Sequence, residues 1–278
     1  MVLKTRQQTI LFPRRPMVMG IVNINDDSFC GDGSLDSTVA LAQAERQLQE
    51  GADIIDVGAE SARTNRMAIS VEEEINRLKP FLAKWPELRA RFNMPLLSIN
   101  TWRPDVIAEV LPHGGDIIND ISGMPDAVNA KICAEHGAAL LIMHSVGQPK
   151  IAHTHVNYES IMNTLDAFFE QRIDMALRAG LNRESILLDP GIDFAKQCAD
   201  NLTIYRELAK LFRFDRPVLL PVSRKTVIGD VLALPALERD AGTVACITAG
   251  MFRGAQIFRV HHVKAASQAV RMLWELTQ

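Results

Sequence analysis

Amide, carboxylate, cationic and imidazole side chains recur at one kind of place in this chain, directly after a short apolar run. In order they are Asn23, Asp56 with Glu60, Asn100, Asn119 with Asp120, His144, Asp189, Arg224 with Lys225, and Arg259 with His261. Amides beside a carboxylate, as in Asn100, Asn119 and Asp189, suit a flat heterocycle whose edge carries both donors and acceptors. Cations beside a hydroxyl or an imidazole, as in Arg63, Lys225 and Arg259 with Ser61 and His261, suit a phosphate or pyrophosphate. One polar residue at such a place commonly caps a turn or a helix. A series of them, one per run, predicts a face on which they converge.

The runs that carry these residues lie at 17–24, 53–57, 96–99, 116–118, 138–143, 185–188, 218–222 and 256–260. They are strand-length and nearly continuous in apolar residues, as strands buried on both faces are. Stretches with helical periodicity separate them, at 37–50, 70–91, 104–111, 125–136, 158–179, 201–212, 241–253 and 264–276. The second carries a capping signal, Ser70 followed by Glu73. Gly51, Gly114-Gly115, Gly180 and Gly254 stand between a helix and the next strand, where a left-handed C-cap favours glycine. Strand and helix alternating eight times predict a closed (β/α)8 TIM barrel rather than an open doubly wound sheet, with the reactive face at the strand C-termini. Residues 1–16 are expected to cap the barrel bottom and 17–278 to form one domain. The polar loops after the first two strands, 23–33 and 60–66, would close over a reacting centre.

Composition excludes several classes. The chain has 278 residues, 47% hydrophobic and 23% charged, with a net charge of −3 and a pI near 6.2, which is ordinary globular composition. No basic field points to nucleic acid or an anionic membrane surface. The longest apolar runs are too short to span a bilayer. Lys4, Arg6, Arg14 and Arg15 are not followed by an apolar segment, so no signal peptide is expected. Cys30, Cys133, Cys198 and Cys246 form no Cys-x-x-Cys pair and suit the reduced thiols of a cytoplasmic protein.

Seven strings, in order from residue 18 to 261, resemble the dihydropteroate synthase family. Val18-Met19-Gly20-Ile21-Val22-Asn23 with Asp27-Ser28-Phe29 is similar to the family's M-G-I-L-N-x-T-P-D-S-F, and 51–58 with Glu60, Ser61 and Arg63 to G-A-D-I-I-D-V-G-G-E-S-T-R-P. Residues 116–123 resemble the I-N-D-V-S-G segment, 141–144 L-M-H, and 189–196 D-P-G-x-G-F-G-K. Residues 223–229 match S-R-K-S-x-x-G, and 259–261 match R-V-H. The resemblance implies a pterin-binding barrel that condenses 6-hydroxymethyl-7,8-dihydropterin pyrophosphate with p-aminobenzoate, Mg²⁺ assisting loss of pyrophosphate. It implies that Asp189 and Asn119 read the pterin edge, Lys225 reaches the ring oxygen, Met143 and Phe194 line the pocket, and Arg259 lies near the ring. Asn23, Ser61, Arg63, Ser223, Arg259 and His261 would hold pyrophosphate and p-aminobenzoate, with Asn23 nearest the metal. Lys225, Arg259 and Asn100 would carry catalysis. The family is usually dimeric through its last helices, and 263–274 offers an apolar stripe for a homodimer.

The chain departs from the family pattern around both substrates. Asn100 stands where the family has an Asp, and a lost charge-assisted hydrogen bond of about 1.5–3 kcal/mol would slow the step by about one to two orders of magnitude. Pro221 replaces a glycine beside the pterin pocket. Ala62, Thr64 and Asn25-Asp26 alter the two loops, Asp193 and Ala195 occupy glycine positions, and His262 replaces an Asp. Two alternatives therefore stand beside a working synthase: a methyl-folate-dependent methyltransferase, and a pterin-binding paralogue with little or no turnover. Asp189 and Asn119 serve all three; Lys225, Arg259 and His261, which handle anions, favour the synthase.

Weaker signals complete the picture. His153 and His155 lack a third metal ligand nearby. His261 and His262 point to opposite faces, so at most one belongs to the site. Trp85 and Trp274 fall on apolar helical faces, and Trp102 suits either core packing or stacking on a ligand.

Overall fold

The computed structural model describes residues 1–25, 33–61, 67–151 and 156–277. Two short strands, β1 (Val2–Lys4) and β2 (Thr9–Leu11), pair antiparallel as a hairpin. The parallel strands are β3 (Met17–Asn23), β4 (Ile54–Gly58), β5 (Leu96–Asn100), β6 (Ile117–Asp120), β7 (Ala139–Met143), β8 (Ile186–Asp189), β9 (Leu219–Pro221) and β10 (Ile257–Val260). They pair in the order β8-β7-β6-β5-β4-β3-β10-β9. A parallel bridge between Leu188 and Val218, with the Leu188 amide donating to the Pro217 carbonyl at 2.9 Å, joins the two ends. The sheet is thereby closed into the expected (β/α)8 barrel.

Helices wrap the barrel: α1 (Ser37–Gln49), α2 (Val71–Ala90), α3 (Pro104–Val110), α4 (Val128–His136), α5 (Ile161–Arg178), α6 (Cys198–Glu207), α7 (Thr226–Leu232), α8 (Asp240–Phe252) and α9 (Val263–Leu276). Ser70 caps α2, its hydroxyl accepting from the Glu73 amide at 3.1 Å. The glycines singled out between helix and strand all have positive φ, from 85° at Gly254 to 146° at Gly114. The short α7 differs from the sequence expectation, which ran from the strand at 218–222 to a helix at 241–253. Seven residues interrupted by Gly229 leave little helical signal to read.

Two apolar clusters divide the strand residues by parity, and this division positions the site. Met17 and Met19, Ile54, Leu96, Ile117, Leu141, Leu187, Leu219 and Ile257 point into the barrel, and Leu3 and Ile10 of the hairpin close it from below. Their neighbours, including Val18, Ile55, Leu97, Ile118, Leu140, Leu188, Leu220 and Phe258, pack outward with the helices. Each such side chain, fully buried, contributes roughly 1.5–3 kcal/mol from leaving water. Continuing the inward parity by two residues per strand gives Ile21 and Asn23, Asp56, Ser98 and Asn100, Asn119, Met143, Asp189, Pro221, and Arg259. The barrel is apolar below and polar at its C-terminal mouth. No helix among the described residues is long and apolar enough to cross a membrane.

Candidate functional site

A cavity of about 290 Å³ opens at the C-terminal ends of the strands. Asn23, Ser61, Asn100, Asn119, Met143, Asp189, Phe194, Ser223, Lys225, Arg259 and His261 all line it. Arg63 falls outside the described residues, as do His153, His155 and the tips of both polar loops.

Asp56 sits at the base of the mouth, fully buried, and four donors converge on it. Arg259 Nε reaches it at 2.7 Å, Ser98 Oγ at 2.6 Å, Asn119 Nδ2 at 3.2 and 3.3 Å, and Asn100 Nδ2 at 3.5 Å. Register explains the convergence: Asp56 lies beside Ser98 on one neighbour and Ile21 on the other, and Asn100 lies beside Asn119 one layer above. A carboxylate surrounded by donors turns both amides the same way, their NH₂ groups toward Asp56. Asn100 Oδ1 is buried and has no hydrogen-bond partner among the described residues. The residue that lacks the family's carboxylate is thus a neutral amide, with the Asp56 carboxylate one layer deeper.

A second group of charges forms the far wall. Asp189 is buried; burial raises its pKa to about 6, opposed by the Gly191 amide at 2.7 Å and by Lys225, Lys196 and Arg259. Lys196 donates to His144 Nδ1 at 2.9 Å and to the Phe194 carbonyl at 3.0 Å. Burial brings the Lys196 pKa down to about 7 against the pull of Asp189, and burial with the Lys196 charge takes His144 to about 3. His144 is therefore a neutral acceptor beneath the pocket. Lys225 Nζ donates to the Ile192 carbonyl at 2.9 Å and lies 5.1 Å from the centre of the Phe194 ring.

The base of the second polar loop is held by charge. Glu60 meets Arg103 at 2.6 Å and Lys150 at 3.6 Å, and accepts from the Ile69 amide at 3.1 Å, which joins the two ends of that loop. Lys150 also donates to the Ser61 carbonyl at 2.9 Å. Arg103 reaches Glu74 at 3.1 Å, a carboxyl whose pKa burial raises.

Other strand-end residues turn outward. Asp120 accepts from Ser122 and from Asn129, and Arg224 pairs with Asp240 at 2.8 Å. Of the adjacent histidines, His261 faces the cavity and His262 meets Asp240 at 3.5 Å. Trp85 is core, and Trp102 lies under the Arg103 guanidinium. Pro221 does line the cavity, which stays open beside it. In the sequence Asp56 and Glu60 are legible only as strand-end polar residues, with no part in the site. The signal for Asp56 was its two-residue spacing from Ile54, usable only once strand parity is known.

No group of three or more His, Cys, Asp or Glu among the described residues is arranged to hold a metal ion. Asn23 offers one amide oxygen at the mouth. That suits Mg²⁺ arriving on a diphosphate, since this ion keeps several waters and takes one or two protein oxygens together with substrate phosphates.

A family model described as "Pterin binding enzyme" matches residues 19–261. The dihydropteroate synthase of Escherichia coli strain K12 is 35% identical over 96% of this chain and 94% of its own length. Among solved structures, the Yersinia pestis dihydropteroate synthase in complex with a sulfonamide drug superposes with a TM-score of 0.91 at 35% identity, covering 99% of both chains. The Xanthomonas albilineans enzyme with 4-aminobenzoic acid gives 0.87 at 30% identity, over 99% of this chain and 98% of that one.

Proposed function

The chain belongs to the dihydropteroate synthase family of pterin binding enzymes, and on that premise we propose that it joins 6-hydroxymethyl-7,8-dihydropterin pyrophosphate to p-aminobenzoate, giving 7,8-dihydropteroate and pyrophosphate. One observation carries the proposal: a single cavity gathers Asp189 with Asn100 and Asn119, and also Lys225 and Arg259 with Ser61, Ser223 and His261. The first set matches the edge of a pterin, the second a diphosphate. Full-length similarity to synthases favours this reading over a methyltransferase.

Asp189 accepts from the 2-amino group and N3–H of the pterin, which requires its ionised form. Asn119 and Asn100, oriented by Asp56, lie along the rest of the pterin edge, where N8–H is the one ring N–H left to donate. Lys225 donates to the ring oxygen, and Met143 and Phe194 flank the ring. Arg259, held through Nε by Asp56, keeps its remaining N–H groups for the substrate. Asn23, Ser61, Arg63, Ser223 and His261 receive pyrophosphate and p-aminobenzoate. Asn23 would hold Mg²⁺, which when bound neutralises charge on the departing pyrophosphate.

The C–O bond to pyrophosphate breaks, its electron pair leaving with the phosphate and positive charge developing on the pterin methylene. The aniline nitrogen bonds to that carbon and releases a proton to water. Arg259 and Lys225 stabilise the leaving anion and the bound ring, and the Asp56 carboxylate lies below the developing cation. Residues 1–16 are the barrel's cap and 17–278 the domain that carries the site. We assign the protein to the cytoplasm and take it to be a homodimer, the dimer being supported by exposed Phe252 on α8 and Met272 and Leu276 on α9. No nucleic acid or membrane partner is invoked.

The test is pyrophosphate release from the pterin pyrophosphate with Mg²⁺, with and without p-aminobenzoate. Release that depends on p-aminobenzoate supports the synthase. Pterin binding without release points to a non-catalytic paralogue, and no pterin binding refutes the reading.

A further inference from the structure

We propose that Asp193, a carboxylate in the loop after β8, is a positioning residue that fixes Lys225 and its charged surroundings within the pterin pocket. Asp193 has φ 69°, a left-handed conformation that favours glycine and that Asp and Asn tolerate better than most residues. The side chain kept there makes three contacts across the fold, and the backbone amide a fourth. Its carboxylate accepts from the Thr226 amide at 2.5 Å and the Val227 amide at 3.3 Å, the first two residues of α7. It also accepts from Asn201 Nδ2 at 3.1 Å, while the Asp193 amide donates back to Asn201 Oδ1 at 3.0 Å. Asn201 is buried on α6, so Asp193 is itself held at a fixed point.

Lys225 is the residue just before α7 and makes no side-chain cap of its own there. Asp193 supplies that cap from another segment and thereby sets where the Lys225 backbone sits. Three consecutive residues then act on one ammonium: the Ile192 carbonyl accepts from Nζ at 2.9 Å, the Phe194 ring lies 5.1 Å from it, and Asp193 provides charge between them. Burial lowers the Lys225 pKa, and Arg259 from β10 lowers it further. Asp193 and then Asp189, at the end of β8, oppose this, with Asp193 the stronger of the two. Lys196, in the same loop, adds a further positive group nearby. With burial and Arg259 both pressing on Lys225, and Lys196 losing its own charge from about pH 7, the Asp193 carboxylate sets how far into the alkaline range the ammonium persists.

The test uses the full chain without substrate. Competitive amine labelling of Lys225, followed by mass spectrometry from pH 6 to 11, reads its titration directly. Asp193→Asn keeps the tolerance of positive φ, one acceptor for α7 and the link to Asn201, and removes only the charge. The expected result is a Lys225 midpoint lower by about one pH unit in Asp193→Asn, with a similar shift in Asp193→Gly. A midpoint that moves by less than about 0.3 units in both variants, whatever happens to their melting temperatures, overturns the proposal and leaves Asp193 a helix cap only.

Because the role assigned to Lys225 rests on the synthase reading, pterin affinity and pyrophosphate release are followed in parallel. A shifted labelling midpoint in a chain that releases no pyrophosphate refutes the synthase and keeps the Asp193 role. Active native protein with an unmoved midpoint refutes the Asp193 role alone.

Discussion

Replacing Asn100 with aspartate puts back the carboxylate of the family pattern, and the structure says how it will behave. Asn100 Nδ2 lies 3.5 Å from Asp56 Oδ2. Two unit charges at that separation repel by about 5 kcal/mol at an effective dielectric of 20, equivalent to more than three pH units. Arg259, 2.7 Å from the same Asp56 carboxylate, offsets part of this. The introduced carboxyl should therefore titrate well above its ordinary value of about 3.9 and reach the neutral range. Below that pKa it is neutral, like the amide it replaces; above it, it is a second negative charge against the developing pterin cation. The assay is pyrophosphate release with p-aminobenzoate and Mg²⁺ for both proteins from pH 5.5 to 8.5. The variant-to-native ratio should be near one at the acid end and climb to about 10–100 at the alkaline end, the gain expected for a charge-assisted hydrogen bond of about 1.5–3 kcal/mol. A raised folded-state pKa also contributes stability that is present below the unfolded value and lost as pH rises through the folded one. The urea midpoint of the variant should accordingly fall relative to native over the same range. A ratio independent of pH, with a parallel urea profile, would refute the coupling of Asn100 to Asp56.

Asp56→Asn leaves Arg259 unpaired at the base of the site. It should cost about 2–3 kcal/mol by urea denaturation, less than the roughly 3–5 kcal/mol of a fully buried pair because Arg259 keeps 20% of its side chain exposed. A loss below about 0.5 kcal/mol with unchanged pterin affinity would show that Asp56 does not organise the mouth. Pterin affinity, measured calorimetrically, should fall about tenfold between pH 7 and 5. Burial raises the Asp189 pKa to about 6, and in the proposed role it would accept pterin N–H groups only when ionised, so protonation on the acid side would remove the acceptor. A flat profile would mean that Asp189 does not bind the pterin edge. Lys150→Ala frees the Ser61 carbonyl and one side of Glu60 at the base of the second loop. It should raise KM for p-aminobenzoate about fivefold, equivalent to ~1 kcal/mol, with little change for the pterin substrate. Equal effects on both substrates would contradict a local role for this latch.

Much of the barrel was legible because a strand buried on both faces writes itself as a continuous apolar run. Those runs located the strands to within one or two residues, and the polar residue after each marked the mouth. The glycine turns were legible for the same local reason, a positive φ that only a residue without Cβ adopts cheaply. The hairpin of three-residue strands and α7 were not, since neither is long enough to develop a period. Glu60 and Lys150 lie 90 residues apart and met only through the fold.

The sequence by itself determined the architecture, the end of the barrel that carries the chemistry, and the residue types gathered there. It could not determine parity. When both faces of a strand are apolar, alternation vanishes, and nothing local tells Asn119, which faces the cavity, from Asp120, which faces the helices. The closed barrel decided that, through register set strand by strand around the ring. Parity in turn placed Asp56 beneath Asn100, Asn119 and Arg259, so that a residue with no assigned role became the one on which the site's hydrogen bonds converge. The electrostatics were decided at the same level. How far burial shifts Asp189, Lys196 and Lys225 depends on which charges the fold brings beside them, and those charges come from distant parts of the chain.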